Sequence, residues 1–297
     1  MTLFHRAWKS RKAYLFLSPL FIGLLLFCYY PPVSGIYHSF FDWDSVGKAT
    51  YIGLDNYREL FRDKVFLDSI PTAFIILVPR LLIGVIVPLI AAELIFSVKK
   101  KQLQSLYRIL ILLPIVAPGV VGLLIWKNIY DPTSGLAVAL LKGLGFIEPD
   151  AVIDWLGDPS LIIPSIIFMG FPWIGGTSVL IYMAGLMNIS SEVIESAELD
   201  GAGLMRRIWS IDIPHLMGQI RFFLIFGIIG GLQDFGIQIV LTSGGPGYST
   251  YVPAYYMYIE AFTAGRMGYA TTIGTVMFVG IFLLSAFAYR GMRTESN

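Results

Sequence analysis

Charge is what this 297-residue chain has least of. Asp, Glu, Lys and Arg make up 14% of it, against about 25% in a typical soluble domain. A soluble fold of this length coats its surface with charge, and this chain carries too little to do so. The balance of 21 basic and 20 acidic residues leaves a net charge of +1. That excludes a global field that would draw nucleic acid. One cysteine, Cys28, lies in an apolar run and excludes both a disulfide scaffold and a cysteine-rich metal site. The three histidines, His5, His38 and His215, stand far apart and form no H-E-x-x-H. No G-x-x-x-x-G-K-[ST] phosphate loop occurs, and the one Gly-Lys pair, Gly47-Lys48, is followed by Ala49. The chain is therefore expected to have no catalytic site, cofactor or metal of its own.

What is present is hydrophobic: 56% of the residues, against about 45–50% on average. A membrane-crossing helix needs about 20 mostly apolar residues, and six runs qualify: 13–31, 69–97, 106–127, 160–187, 219–242 and 268–289. The fold class read from this is all-α, a polytopic membrane protein with six transmembrane helices. Arg6, Lys9, Arg11 and Lys12 precede the first run as they would in a signal peptide, but YYPPVSG follows with no small-x-small cleavage site. A retained first span is expected. With the N-terminus inside, thirteen Lys and Arg fall on the inner side and seven on the outer. That asymmetry predicts both termini in the cytoplasm. Prolines 79, 88, 114, 118, 164 and 172 fall inside predicted spans and read either as ordinary kinks or as helices bent around a pathway.

Residues 188–216, NISSEVIESAELDGAGLMRRIWSIDIPHL, are polar enough to leave the bilayer yet patterned. Ser190 and Ser191 can cap a helix whose first turns hold Glu192 and Glu195. Gly201 and Gly203 then redirect the chain. A second short helix over about 204–210 is expected to bring Arg206, Arg207 and Trp209 to the cytoplasmic surface, and Pro214 closes the unit. Two readings stand side by side: an amphipathic interfacial helix and a docking element for a cytoplasmic partner.

Ionisable residues inside spans are costly and point to function. Glu93 lies close to Lys99–Lys101, which fits a boundary salt bridge. Arg80 can pair with a carboxylate, snorkel or face a cavity. Asp234 sits in FGIIGGLQDFGIQ, where Gln233, Asp234 and Gln238 offer hydrogen bonds, Phe235 a ring face, and Gly227, Gly230 and Gly231 open space. Helix packing through small residues and a sugar-binding surface both account for this run.

Glu195-Ser196-Ala197, Asp200-Gly201-Ala202 and, eight residues on, Ile211-x-Ile213-Pro214 resemble the EAA loop of ABC-importer permeases. Ser196 and Ile213 are mild departures. Leu241-Thr242-Ser243-Gly244-Gly245-Pro246-Gly247 resembles a signature of carbohydrate-importer permeases, and Asp42-Trp43 with Gly53-Leu54-Asp55-Asn56-Tyr57 resembles that family's first outer loop. The resemblance is to the maltose type and covers nearly the whole chain. It implies an N-terminal portion 1–68 (tail, first span, outer loop) and a permease core 69–290 with the EAA loop at 190–214. A cytoplasmic tail, 291–297, would complete the chain.

The resemblance further implies that the loop is a cytoplasmic coupling helix contacting an ATPase through Glu195, Ser196, Ala197, Asp200, Gly201, Ala202, Ile211 and Pro214. It places substrate contacts at Gly170 and Trp173 and at Gly227, Gly230, Gly231, Asp234, Phe235 and Gly236, next to Gln233. The implied partners are a second related permease forming a heterodimer, two ATPase subunits, an extracytoplasmic solute-binding protein and a sugar ligand. The setting is membrane lipid, in a bacterial or archaeal cytoplasmic membrane. A permease for a phosphorylated polyol, a secondary transporter without an ATPase, and a membrane scaffold remain as rivals.

Overall fold

A computed structural model describes residues 11–291; Arg6, Lys9, His5 and the predicted tail 291–297 beyond Gly291 lie outside the described residues. Among the described residues the regular structure is helical apart from one two-residue strand pair, and the chain divides into two units.

One unit holds residues up to 63 together with 257–279. Helix α1 (Arg11–Leu24) runs through a π turn (Leu25–Tyr29) into α2 (Tyr30–His38), so the first span extends seven residues past its predicted end. Pro31 and Pro32 do not stop it because proline is tolerated in the first turn of a helical segment. Strands β1 (Phe41–Asp42) and β2 (Thr50–Tyr51) pair antiparallel, Phe41 opposite Tyr51, and α3 (Asp55–Leu60) follows. Buried Asn56 donates from Nδ2 to the carbonyls of Ser39 and Phe41, each at 3.0 Å. The Ser39 hydroxyl meets the Tyr57 hydroxyl at 2.7 Å. The G-L-D-N-Y run is thus the knot of this unit. Thr272 adds a bond to the Ser39 carbonyl (3.0 Å), and Arg266 bridges Glu59 (2.6 Å) and Glu260 (3.2 Å).

The other unit holds residues 64–256 and 280 onward. Its spine is α4 (Lys64–Phe96), 33 residues without a break despite Pro71, Pro79 and Pro88. At 1.5 Å per residue it is about 50 Å long, more than a bilayer's hydrocarbon core. Next come α5 (Lys101–Leu112), a 3-10 turn (Leu113–Val116) and α6 (Gly119–Ile129), with an 88° bend before α6. The bend follows from Pro118, which holds Ala117 in extended conformation (φ −75°, ψ 131°). Helix α7 (Leu136–Gly143) leads to α8 (Ile162–Phe168) and α9 (Gly176–Leu186).

The run predicted as one span over 160–187 is therefore two helices. Gly170 at φ 97° and Trp173 at φ 57° turn the chain between them, a backbone state that no helix continues through. Helices α10 (Ser191–Leu199), α11 (Leu204–Arg207) and α12 (Ile213–His215), the last two joined by a π turn, precede α13 (Met217–Gln233). Helix α14 (Pro253–Phe262) and α15 (Met267–Gly291) complete the order. Four described helices are long and apolar enough to cross a membrane, and the number reaches six when each of two bent pairs is taken as one span.

Candidate functional site

Helix α4 presents Ile76, Arg80 and Gly84 at spacings of four, with Leu77, Leu81 and Val85 one residue along. Helix α13 answers with Phe223, Gly227 and Gly231, and with Phe226, Gly230 and Asp234. Spacings of four place each set on one helical face. Between the faces, with Ser178 of α9, lies a cavity of about 510 Å³. A second cavity of about 320 Å³ is walled by Arg80, Ile83 and Gly84 on one side and by Gly170, Trp173 and Gly175 on the other. Arg80 and Gly84 belong to both walls.

The glycines divide by role. A Cβ on Gly227 would strike Leu81, and one on Gly231 would strike Leu77. These two let α13 pack closely on α4. Gly230 and Gly84 have nothing within 4 Å of a Cβ and leave room. Asp234 ends α13 in extended conformation (φ −76°, ψ 131°), and its Oδ1 accepts the Gly236 N–H at 3.0 Å. Arg80 and Asp234 interact electrostatically across the first cavity without closing to the 4.0 Å of an ion pair. Trp173 stands edge-on to Phe168 and Phe171, at 5.3 and 5.0 Å between ring centres. Its buried Nε1 has no partner among the described residues.

Gly170, Trp173, Gly227, Gly230, Gly231 and Asp234 thus line the two cavities. Gln233, Phe235 and Gly236 line neither. Gln238 is buried and donates to the Thr250 carbonyl at 3.2 Å, so it braces the L-T-S-G-G-P-G turn. In that turn Ser243 and Gly244 adopt positive φ, and a Cβ on Gly244 would enter the Tyr251 ring. Ser178, Phe223, Phe226 and Gly84 escaped the sequence reading. The repeat of four from Arg80 and from Gly230 was the signal that could have found Gly84 and Phe226.

The segment after α9 is built as a capped helix and a return. Gly201, at φ 73°, is the left-handed residue after α10, and the Ala202 N–H closes back on the Ala197 carbonyl at 2.9 Å. Glu195, Ser196 and Asp200 are exposed, Ala197 and Ala202 half-buried, and Pro214 opens α12. Ile194 and Ile211 pack on a core of Ala92, Ile95, Val179, Tyr182, Met183, Leu186, Ile189 and Leu216. The segment is therefore seated on α4, α9 and α13.

Arg206 and Trp209 are exposed, as the sequence pattern predicts. Arg207 is not: its Nε donates to the fully buried Asp212 at 3.0 Å. Nor does Glu93 pair with Lys99–Lys101; it is 6% exposed, and neither carboxylate oxygen has a hydrogen-bond partner among the described residues. Between α6 and α7, Asp131 Oδ1 accepts the N–H and hydroxyl of both Ser134 and Thr133, at 2.8–3.0 Å. Those donors, the Ser134 N–H foremost, hold its carboxyl far below the usual carboxylate range. Among the described residues no group of three or more His, Cys, Asp or Glu could hold a metal.

Residues 84–292 match the family described as binding-protein-dependent transport system inner membrane component. The chain is 32% identical over 282 residues to the probable ABC transporter permease protein YurN of Bacillus subtilis, covering 95% of this chain and 96% of that one. It is 30% identical over 274 residues to the diacetylchitobiose uptake system permease protein NgcF of Streptomyces coelicolor, covering 88% and 77%. A chain of the bacterial alginate ABC transporter, solved in complex with an alginate pentasaccharide-bound periplasmic protein, shares the fold with a TM-score of 0.86. It is 24% identical, with 98% of this chain and 97% of that one covered. With apolar spans and a match over most of its length, the chain belongs to the binding-protein-dependent transport system inner membrane components, as a multi-pass membrane permease.

Proposed function

We propose that the chain is the membrane-spanning subunit of an ATP-binding-cassette importer that moves a carbohydrate by alternating access. One observation carries the reading: Arg80 and Asp234 face each other across a cavity of about 510 Å³ walled by glycines and Phe226. A guanidinium and a carboxylate offer paired donors and acceptors to sugar hydroxyls, and Phe226 and Trp173 offer rings to the apolar faces of a pyranose. The diacetylchitobiose relative supports the sugar class. In this reading 1–68 forms the first span and outer loop, 69–290 the permease core and 190–214 the coupling loop, with both termini cytoplasmic. A second related permease, two ATPase subunits and an extracytoplasmic binding protein complete the complex.

ATP-driven closure of the ATPases presses on α10, and the core under Ile194 and Ile211 passes the displacement to α4 and α13, whose facing sides open or close the cavity. Glu195, Asp200 and the turn at Gly201 form the pressed surface. Arg80 also favours a second cargo class, an anionic one such as a phosphorylated polyol, because a guanidinium without an ion-pair partner among the described residues attracts phosphate or carboxylate.

The test is ATP-driven uptake of labelled neutral and anionic candidate sugars into proteoliposomes holding the whole complex. Asp234→Ala should cut uptake at least tenfold with assembly unchanged; unaltered uptake of every transported sugar removes Asp234 from the site. Arg80→Gln separates the cargo classes, since loss confined to anionic cargo supports the second reading and equal loss supports a neutral sugar.

A further inference from the structure

Three ionisable side chains meet beside the apolar core that seats the coupling segment. Asp212 of the π turn is fully buried, Glu93 of α4 is 6% exposed, and Arg207 ends α11. Arg207 Nε donates to Asp212 Oδ2 at 3.0 Å, and its guanidinium carbon lies 5.7 Å from the centre of the Phe96 ring. Phe96 follows Glu93 by three residues and shares its face of α4. The Arg207 charge therefore sits beside the turn that carries Glu93, and Glu93 interacts electrostatically with both Asp212 and Arg207.

The hydrogen bonding of the trio is incomplete in a particular pattern. Arg207 Nη2, Asp212 Oδ1 and both oxygens of Glu93 are buried without a partner among the described residues. A buried charge left without hydrogen bonds is costly, and a half-satisfied polar network is a poor static brace. If the Arg207–Asp212 pair were only structural, an apolar side chain at position 93 would serve better. A spare donor on the cation and two spare acceptors on Glu93 describe a network with a second arrangement, in which the unsatisfied atoms of Glu93 find a partner.

We infer that Arg207 is a two-position cation, paired with Asp212 inside its own segment here and exchanged onto Glu93 of α4 when segment 188–216 moves in the transport cycle. The inference rests on the coupling reading of that segment. In the arrangement seen here the cation reaches α4 only through the Phe96 ring, and only in the second arrangement does an ion pair tie the segment to α4. Glu93 lies thirteen residues beyond Arg80 on that unbroken helix, about 20 Å along its axis. A pull at Glu93 thus reaches the wall shared by both cavities. Glu93, Arg207 and Asp212 are positioning residues for transport.

The exchange is testable without knowing the cargo. Nitroxides at Lys99 and Met205, both exposed, in a Cys28→Ser background report the distance between the end of α4 and the segment. The distance is measured on the whole complex, nucleotide-free and trapped with MgATP and vanadate. The wild type should change distance between the two states. Glu93→Gln, nearly isosteric, should hold the nucleotide-free distance after trapping, with the ratio of the two populations moved by about tenfold or more. Asp212→Asn weakens the pair seen here and should move the nucleotide-free sample the opposite way, toward the trapped distance. Opposite signs from two neutralised acids are not what a merely structural role produces. If the wild type changes distance and both variants follow it unaltered, the exchange is overturned alone. If the wild type does not change, the coupling reading beneath it falls as well. If Glu93→Gln does not assemble, Asp212→Asn decides by its own sign.

Discussion

Gly201 and Gly203 stand two residues apart in Asp-Gly-Ala-Gly, yet the structure asks different things of them. Gly201 has φ 73°, and the bond from the Ala202 N–H to the Ala197 carbonyl, 2.9 Å, depends on that turn. Gly203 is at φ −67° and ψ 166°, extended backbone that any residue adopts. Neither has an atom within 4 Å of an added Cβ, so a substitution at either site meets no steric wall and any cost is conformational. For Gly201→Val the left-handed state costs roughly 1–2 kcal/mol. Escaping it forfeits the capping bond, worth about 0.5–1.5 kcal/mol. The turn population should therefore fall about 5–30-fold, while Gly203→Ala should leave it intact. Co-purification of the proposed ATPase partner and ATP-driven uptake by reconstituted complex read the difference, with membrane insertion as the control. Equal behaviour of Gly201→Val and wild type in both assays would refute the claim that this turn shapes the coupling surface. Equal damage from Gly203→Ala would refute the claim that backbone conformation is the cause.

Other substitutions separate packing from cavity in the same way. Gly231→Ala pushes a methyl against Leu77 and should destabilise the complex by about 1–3 kcal/mol in thermal unfolding. Gly230→Ala meets open space and should gain about 0.5–1 kcal/mol from helix propensity while narrowing the cavity and lowering uptake. Gly84→Leu should fill the shared wall and abolish transport with assembly retained, as read by uptake against complex yield. Asn56→Ala removes both amide bonds that hold Ser39 and Phe41 and should cost about 1–3 kcal/mol, visible in the melting of detergent-solubilised protein. Asp131 has a lowered carboxyl pKa, so its contribution to the 131–135 turn is complete above the ordinary carboxylate pKa of about 3.9. It is lost only as pH falls through the lowered value. Slow amide exchange at Ser134 should persist at pH 5 in the native chain and be absent at every pH in Asp131→Ala, which removes the acceptor.

The helical class, the hydrophobic runs and the exposed loop between α9 and α13 were legible because each depends on a local rule: run length, capping residues, the glycine of a left-handed turn. What was illegible is where a run stops being one helix. Pro79 and Pro88 leave α4 continuous, whereas Pro118 and the stretch at Gly170–Trp173 break their helices. A proline lacks one N–H and crowds one carbonyl wherever it sits. Whether the helix survives depends on the residues beside it, and at Ala117 and Trp173 the backbone is extended or left-handed.

The same limit governs the scarce charges. Sequence position put Glu93 beside a run of lysines and Arg207 on a polar helix, and neighbours in sequence are the natural partners to assign. In the folded chain Glu93 turns into the core, and Arg207 follows it there to meet Asp212. Arg80 likewise had three open roles that only the opposite helix could narrow, because its counter-charge, Asp234, lies 154 residues on. In an apolar medium an isolated charge costs far more than in water, so opposite charges separated widely in sequence are brought to face one another even where they do not close into an ion pair. Of the ionisable residues in the spans, those with no opposite charge within a few residues are the ones whose partners reveal tertiary contacts. Arg80 and Asp234 meet that condition, and the cavity lies between them.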